Sequence, residues 1–418
     1  MQTFLPIILG SDENAYGTVR LFREAYGIRP LLVCTRRLIP TMDSRLFDIE
    51  QIADFDRDDV FCRELLRILK QYKPLYDKLL VVACSDYYAG MMSKHGSLFS
   101  DLIANRFLSP ALLEQLDTKD KFYALCEKHG LDYPKTVIAE PDQRETALDR
   151  INFSFPIVVK PENSNAYDYL HCSFEGKEKV YYFGNRTEYL DMVRKLNKTS
   201  YRGKLIIQEF IPGGDDAMRV INCYSDHSGK VRMMCLGQPI LEEYAPKMLG
   251  NYAAIISRDD PAIYQKIKNF LEEIGYVGFS NFDMKYDKRT GRYMLFEINP
   301  RLGRSSFFVR AAGLNMMQAL ISDVVCGEET ALVTGTKEAL WTAVPRCVLS
   351  RYVADKALRN EALCLWKTSG ALRTLFCPED RSLKRRLRIT RYYLSGIRTY
   401  RKYYFSKKDG TPRKQSSR

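Results

Sequence analysis

Residues 279–301 read FSNFDMKYDKRTGRYMLFEINPR, and their reading decides the fold. Two β-like runs, roughly 278–286 and 293–299, flank the turn-forming DKRTGR, which predicts a hairpin. Side chains along a strand alternate faces, so Glu297 and Asn299 share one face while Phe296 and Ile298 share the other. Asp283, on the partner run, is expected on the side of Glu297 and Asn299. Three hard oxygen donors on one sheet face suit Mg²⁺ held beside nucleotide phosphates. A solvated sheet face carries the same pattern, so the hairpin alone leaves both readings open.

The rest of the chain narrows them. At 418 residues it is long enough for two or three domains with real cores. Its composition, 45% hydrophobic and 28% charged, is that of a globular protein. No apolar run reaches the roughly 18 residues that a membrane span needs. The start, MQTFLPIILGSDENAYG, has no basic residue before its short apolar run, and it reads as a first strand, not a signal peptide. Eleven cysteines without a CxxC pair, and four histidines without ligand spacing, argue against zinc and against a disulfide framework. Reduced cysteines and a cytoplasmic location, or a peripheral one at the inner membrane surface, are the expectation.

Five segments are expected. LPIIL at 5–9, followed by GSDENAYGTVRLFREAYG, reads as strand, turn and helix, and LLVVACSDYYAGMMSKHG from 79 repeats the rhythm. This predicts an open α/β domain with parallel strands over residues 1–115, in which ligands collect at strand ends such as Ser11/Asp12 and Ser85/Asp86. Residues 116–203 read as a connecting helix and a small lobe, 204–330 as a large lobe, 331–380 as an extension and 381–418 as a basic tail. That tail holds fourteen Lys/Arg against Asp409 alone, which accounts for the whole net charge of +13, so the body is neutral.

Four stretches bear on function. Lys160 sits in the apolar strand FPIVVKP, where a buried ammonium is costly unless an anion compensates it. Lys119 stands at a helix start. LIIQEFIPGGDD, from 205, runs from a strand into a turn whose backbone can pair with an adenine edge, with acids close behind. A plain hairpin turn fits that segment as well. The fourth stretch is the hairpin.

In that order these stretches resemble the ATP-grasp superfamily of carboxylate–amine ligases. The segments PIILGSDENAYGTVRLFREAYG, VRMMCLGQPILEE, GNYAAII, NFDMKYD and FEINPRLGRSSFF are similar to its D-aspartate ligase branch. The resemblance implies an N-terminal Rossmann-like (pre-ATP-grasp) α/β domain followed by a two-lobed ATP-grasp domain, α/β and α+β in class. It implies ATP phosphates on Lys119 and Lys160, and adenine on the Gln208 side chain and the backbone of Glu209 and Ile211. Ribose would sit on Asp215 or Asp216, and two Mg²⁺ ions on Asp283, Glu297 and Asn299, with Glu297 bridging. Arg301 would act catalytically beside Lys160, on the transferring phosphate or the acyl phosphate. The implied partners are D-aspartate and a UDP-linked peptide acceptor, with no nucleic acid. A ligase of another amino acid or amine, and a non-catalytic nucleotide-binding or RNA- or membrane-associated protein, are the alternatives.

The loop after Lys160, ENSNAYDYLH, departs from the glycine-rich loop of many such enzymes and offers Asn163, Ser164 and Asn165 as donors. Arg304, Ser305 and Ser306 read as the opening of one helix, SSFFVRAAGLNMMQAL, and so as a carboxylate site or a simple N-cap. GQPILEEYAPKMLGN at 237–251 reads as a loop, either a lid or passive surface. In the tail, Leu383, Leu387, Leu394, Ile397 and Tyr404 form one helical stripe. Three roles are open for it: a segment partly docked on the body, an anchor on an anionic membrane surface, or an RNA contact.

Overall fold

The computed structural model describes residues 2–162, 167–245, 248–380 and 382–408. Asn163, Ser164 and Asn165 lie outside the described residues. The chain forms two compact units, Met1–Leu113 with Gly214–Asp283 and Ile298–Asp409, and Glu114–Gly213 with Met284–Glu297.

In the first unit, strands Asp48–Gln51, Leu31–Cys34, Phe4–Leu9 and Lys78–Ala83 form a parallel sheet in that order. Phe4–Leu9 and Leu31–Cys34 are buried at every residue, which is why the sequence shows continuous apolar runs there and no alternation. Each buried Ile or Leu contributes about 1.5–3 kcal/mol. Helix Glu13–Tyr26 follows the first strand through Gly10, whose φ of 132° few other residues adopt. Asp12 caps that helix by accepting from the Ala15 amide, and Gly27 closes it in the left-handed conformation. Helix Asp86–His95 follows strand Lys78–Ala83 in the same way, with Ser85 as its cap.

A mixed sheet carries the hairpin. Among the described residues its order is Arg292–Asn299, Gly278–Asp287, Met218–Ser225, Val231–Glu242, Tyr252–Arg258, Leu340–Thr342 and Ala371–Leu372, with Val333–Thr334 beside Val231–Glu242. The expected hairpin is therefore present, with turn residues 288–291.

Three local expectations need correction. Residues 237–242 remain in strand Val231–Glu242, so the loop starts at Glu243. Pro239 is tolerated because the register shifts right after it. Gly237 is required by packing, since a Cβ there would fall 2.6 Å from Ile255 Cγ2. The single helix expected from Ser305 is broken: Phe308–Ala311 is one short turn, and Met316–Val324 follows Gly313 at φ 93°. Ser305 and Ser306 lie in the turn before it, and the residue at the cap position, Phe307, makes no side-chain cap.

The third correction is the tail stripe. Helix Leu383–Lys408 is docked on the first unit, and Ile389, Tyr400 and Tyr404 are buried. Arg385 is buried too: its Nε lies 2.6 Å from Asp380, its Nη1 donates to the carbonyls of Pro40 and Met42, and its guanidinium covers the Tyr16 ring. Leu383, Leu387 and Leu394 point to solvent instead, at 82%, 56% and 49% exposure. The buried aromatics and arginine take the inner face because the rings of Tyr244 and Tyr352 pack against Tyr400 and Tyr404 there in tilted and edge-on contacts.

In the second unit, Thr136–Ala139, Leu205–Glu209, Ile157–Pro161 and Tyr181–Phe183 form an antiparallel sheet in that order. Helix Arg186–Asn197 packs Tyr189, Val193 and Leu196 with Val159 and Ile207 in one core. Strand Leu205–Glu209 belongs to this sheet and Met218–Ser225 to the mixed one, so the Pro-Gly-Gly turn joins two sheets and is not a hairpin turn.

Candidate active site

In the second unit three charged groups from distant parts of the sequence meet. Lys119 is the first residue of helix Lys119–Lys128, and its Nζ lies 3.0 Å from Glu297 Oε2. Lys160 alternates with the buried Val159 and Pro161, so its side chain leaves the core side of its strand and reaches the Phe296 ring at 5.8 Å. Burial pushes the Lys160 ammonium down to about 7; the neighbouring Lys119 charge adds to this, and Glu297 opposes it. The cluster thus holds two lysines against one carboxylate, and one of those lysines gives up its proton near neutrality unless further negative charge arrives.

The expected adenine contacts lie on strand Leu205–Glu209 and just beyond it. Gln208 is buried and gives its amide hydrogens to Tyr123 Oη at 3.0 Å and Thr136 Oγ1 at 2.9 Å. That side chain ties a helix to the sheet through its amide nitrogen. Glu209 pairs by backbone and side chain with Lys135, and Ile211 is buried.

In the first unit, Asn299 Nδ2 lies 3.3 Å from Asp283 Oδ2, and the Tyr252 hydroxyl donates to Asp283 Oδ1 at 3.0 Å. Asn299 gives its other short contact from the same nitrogen to Asn281, leaving its oxygen toward Arg301 at 3.4 Å. Glu297 and Asn299 are two apart on strand Arg292–Asn299 and so share a face. Among the described residues no three His, Cys, Asp or Glu side chains gather as a metal-ligand group. The expected set is two carboxylates and an amide oxygen, all hard donors of the kind Mg²⁺ takes with water and phosphate.

Arg301 is held in a fork: Nε and Nη2 each lie 2.8 Å from an oxygen of Asp86, at the start of helix Asp86–His95. Arg304 lies 3.3 Å from Glu13 and 3.9 Å from Glu243, and both carboxyls are pushed up by burial, with Arg304 partly offsetting this. Its Nη1 is buried without a hydrogen-bond partner among the described residues. Asn14, beside Glu13, donates to the carbonyls of Cys84 and Leu302 and so fixes the loop that carries Arg304. Ser306 Oγ is 3.5 Å from Asn14 Oδ1, and Ser305 is buried. Asp215 accepts from the Glu242 amide at 3.0 Å and the Tyr244 hydroxyl at 3.2 Å, while Asp216 accepts from the Gly214 amide at 3.2 Å.

The anchors of these residues leave little trace in the sequence: Asp86 stands there only as a strand end, and Glu13, Glu243, Tyr244 and Tyr252 carry no motif. Long-range pairs carry no local signal; the acids at the two strand ends were the one hint.

Residues 253–326 match the family described as carbamoyl-phosphate synthase L chain, ATP binding domain. The chain is 39% identical over 414 residues to the D-aspartate ligase of Enterococcus faecium (strain Aus0004), covering 97% of this chain and 98% of that protein. Among solved structures it resembles the ADP complex of N5-carboxyaminoimidazole ribonucleotide synthetase, with TM-score 0.57, 15% identity and 81% of each chain covered. It also resembles the L-amino acid ligase of Bacillus licheniformis, with TM-score 0.52, 17% identity, and 78% of this chain and 75% of that chain covered. Both likenesses are of fold.

Proposed function

The chain belongs to the D-aspartate ligase family of ATP-grasp enzymes, ATP-dependent ligases that form C–N bonds, and we propose that its substrates are D-aspartate and a peptidoglycan precursor. In this reading the β-carboxylate of D-aspartate is activated and joined to the lysine ε-amine of a UDP-MurNAc-pentapeptide. The observation that supports it most is the Lys119–Glu297–Lys160 cluster, where desolvation pushes the Lys160 ammonium down and phosphate charge would favour its protonated form.

A carboxylate does not react with an amine at neutral pH because oxide would have to leave. Transfer of the γ-phosphoryl group of ATP to a carboxylate oxygen breaks the bond to ADP and forms an acyl phosphate. The amine nitrogen then attacks the acyl carbon, phosphate leaves, and the nitrogen loses one proton. Lys119 and Lys160 are assigned to the phosphates, where their charges stabilise the transferring group. The backbone at Glu209 and Ile211 is assigned to adenine, and Asp215 or Asp216 to ribose. Asp283, Glu297 and Asn299 would hold magnesium, as one ion or two, which would neutralise phosphate charge when bound. Arg301, held by Asp86, is assigned to the transferring phosphate or the acyl phosphate. Arg304, with a buried and unpaired Nη1, is assigned to a substrate carboxylate, with Ser305 and Ser306 in the turn beside it.

The test is phosphate release from ATP with the precursor present, screened over both stereoisomers of aspartate and other amino acids. Release with D-aspartate alone is expected. Release with another amino acid would replace the substrate, and release with none would leave a nucleotide-binding protein without ligase turnover.

A further inference from the structure

The C-terminal helix has two faces with different work. Its inner face is part of the first unit's core. Its outer face carries Leu383, Leu387 and Leu394, all exposed. At about 100° per residue these three fall within an arc of about 40°. Arg391, Arg398 and Arg401 are exposed on the same side, and the helix contains no acidic residue. Single exposed leucines are ordinary, but these three stand in a line on one helix face inside a field of cations, on a chain whose body is neutral.

We propose that this face docks the protein on an anionic lipid surface. The leucines enter the boundary between headgroups and acyl chains, and the arginines take lipid phosphates while their stems lie along the apolar layer. The helix lies flat, because its inner face is committed to the body, and no helix among the described residues is long and apolar enough to cross a membrane. A nucleic acid would match the cations but leave the three leucines in water. Three of the aromatics that could stack on bases are engaged with the body: Tyr400 and Tyr404 are buried, and Tyr393 donates to the Val344 carbonyl. A second copy of the chain would set one field of arginines against another.

The experiment is co-sedimentation of the full chain with vesicles of phosphatidylcholine and phosphatidylglycerol, beside phosphatidylcholine alone. Binding is expected only with the anionic lipid. The double variant Leu387→Gln, Leu394→Gln should weaken it about tenfold or more, and Arg391→Gln, Arg398→Gln by about tenfold. All four positions are outside the assigned catalytic groups and exposed, so phosphate release in solution and the melting temperature should stay unchanged. The arginine contribution should fade in high salt, and the leucine contribution should persist. Three results would overturn the proposal: no sedimentation with anionic vesicles, sedimentation insensitive to the leucine change, or tighter binding of a single-stranded RNA that only the arginine change weakens.

Discussion

Lys119 and Glu297, 178 residues apart in sequence, form an ion pair at 3.0 Å inside one compact unit. The carboxylate assigned to magnesium is thereby oriented by a cation that is itself assigned to phosphate. Because Glu297 is 45% exposed, the pair contributes only about 0–1 kcal/mol to folding. Glu297→Gln should therefore leave the thermal melt almost unmoved while lowering turnover by at least about 10²-fold. Near-normal turnover in a steady-state assay would remove Glu297 from the metal set.

Lys160 gives a pH signature. Its ammonium is pushed down to about 7 in the folded protein, against an ordinary 10.5. Between those values the unfolded chain holds a proton that the folded one lacks, so this group's contribution to stability rises with pH across that window and is flat below it. Phosphate prefers the charged form. ATP affinity should accordingly fall as pH rises above about 7, by up to about tenfold per unit. Lys160→Arg keeps the charge and should flatten the profile, which calorimetric titration at several pH values would read.

Arg301 is positioned by Asp86, whose side chain is 63% exposed. Asp86→Ala should cost little stability but free the guanidinium, reducing kcat about tenfold or more with the KM for ATP nearly unchanged. A rise in KM alone would place Arg301 in ground-state binding.

The C-terminal helix is structural as well as basic. Arg385 and Asp380 form a pair whose side chains are only 2% and 1% exposed. Arg385→Met leaves the Asp380 carboxylate buried with the Tyr16 hydroxyl and the Arg45 amide as its hydrogen-bond donors. Loss of about 3–5 kcal/mol in urea unfolding is expected, and a change under about 1 kcal/mol would show the pair to be dispensable.

Much of this was legible in the chain. The hairpin, the parallel N-terminal strands and the helix between Asp12 and Gly27 follow from turn residues, apolar runs and caps, all of which are local. The extension of a strand through Pro239 is not legible, because it depends on a register shift, whereas the break at Gly313 is a local glycine signal that the surrounding apolar run obscures. The helical period of the tail was readable, but which face docks depends on Tyr244 and Tyr352 in distant segments. For the site, residue types and spacing mark Lys119, Lys160 and Glu297 as candidates, and the fold brings the three together. The bonds of Gln208 to Tyr123 and Thr136 carry no local signal, because they exist only once the sheet forms.

Activation of an amino-acid carboxylate by phosphorylation leaves an isotopic record. With D-aspartate labelled with ¹⁸O in its β-carboxylate, the mass of the phosphate released during ligation to the pentapeptide precursor reads it. One labelled oxygen in each phosphate is expected, because the carboxylate oxygen that attacks phosphorus leaves with it. Unlabelled phosphate released at the same rate would contradict it.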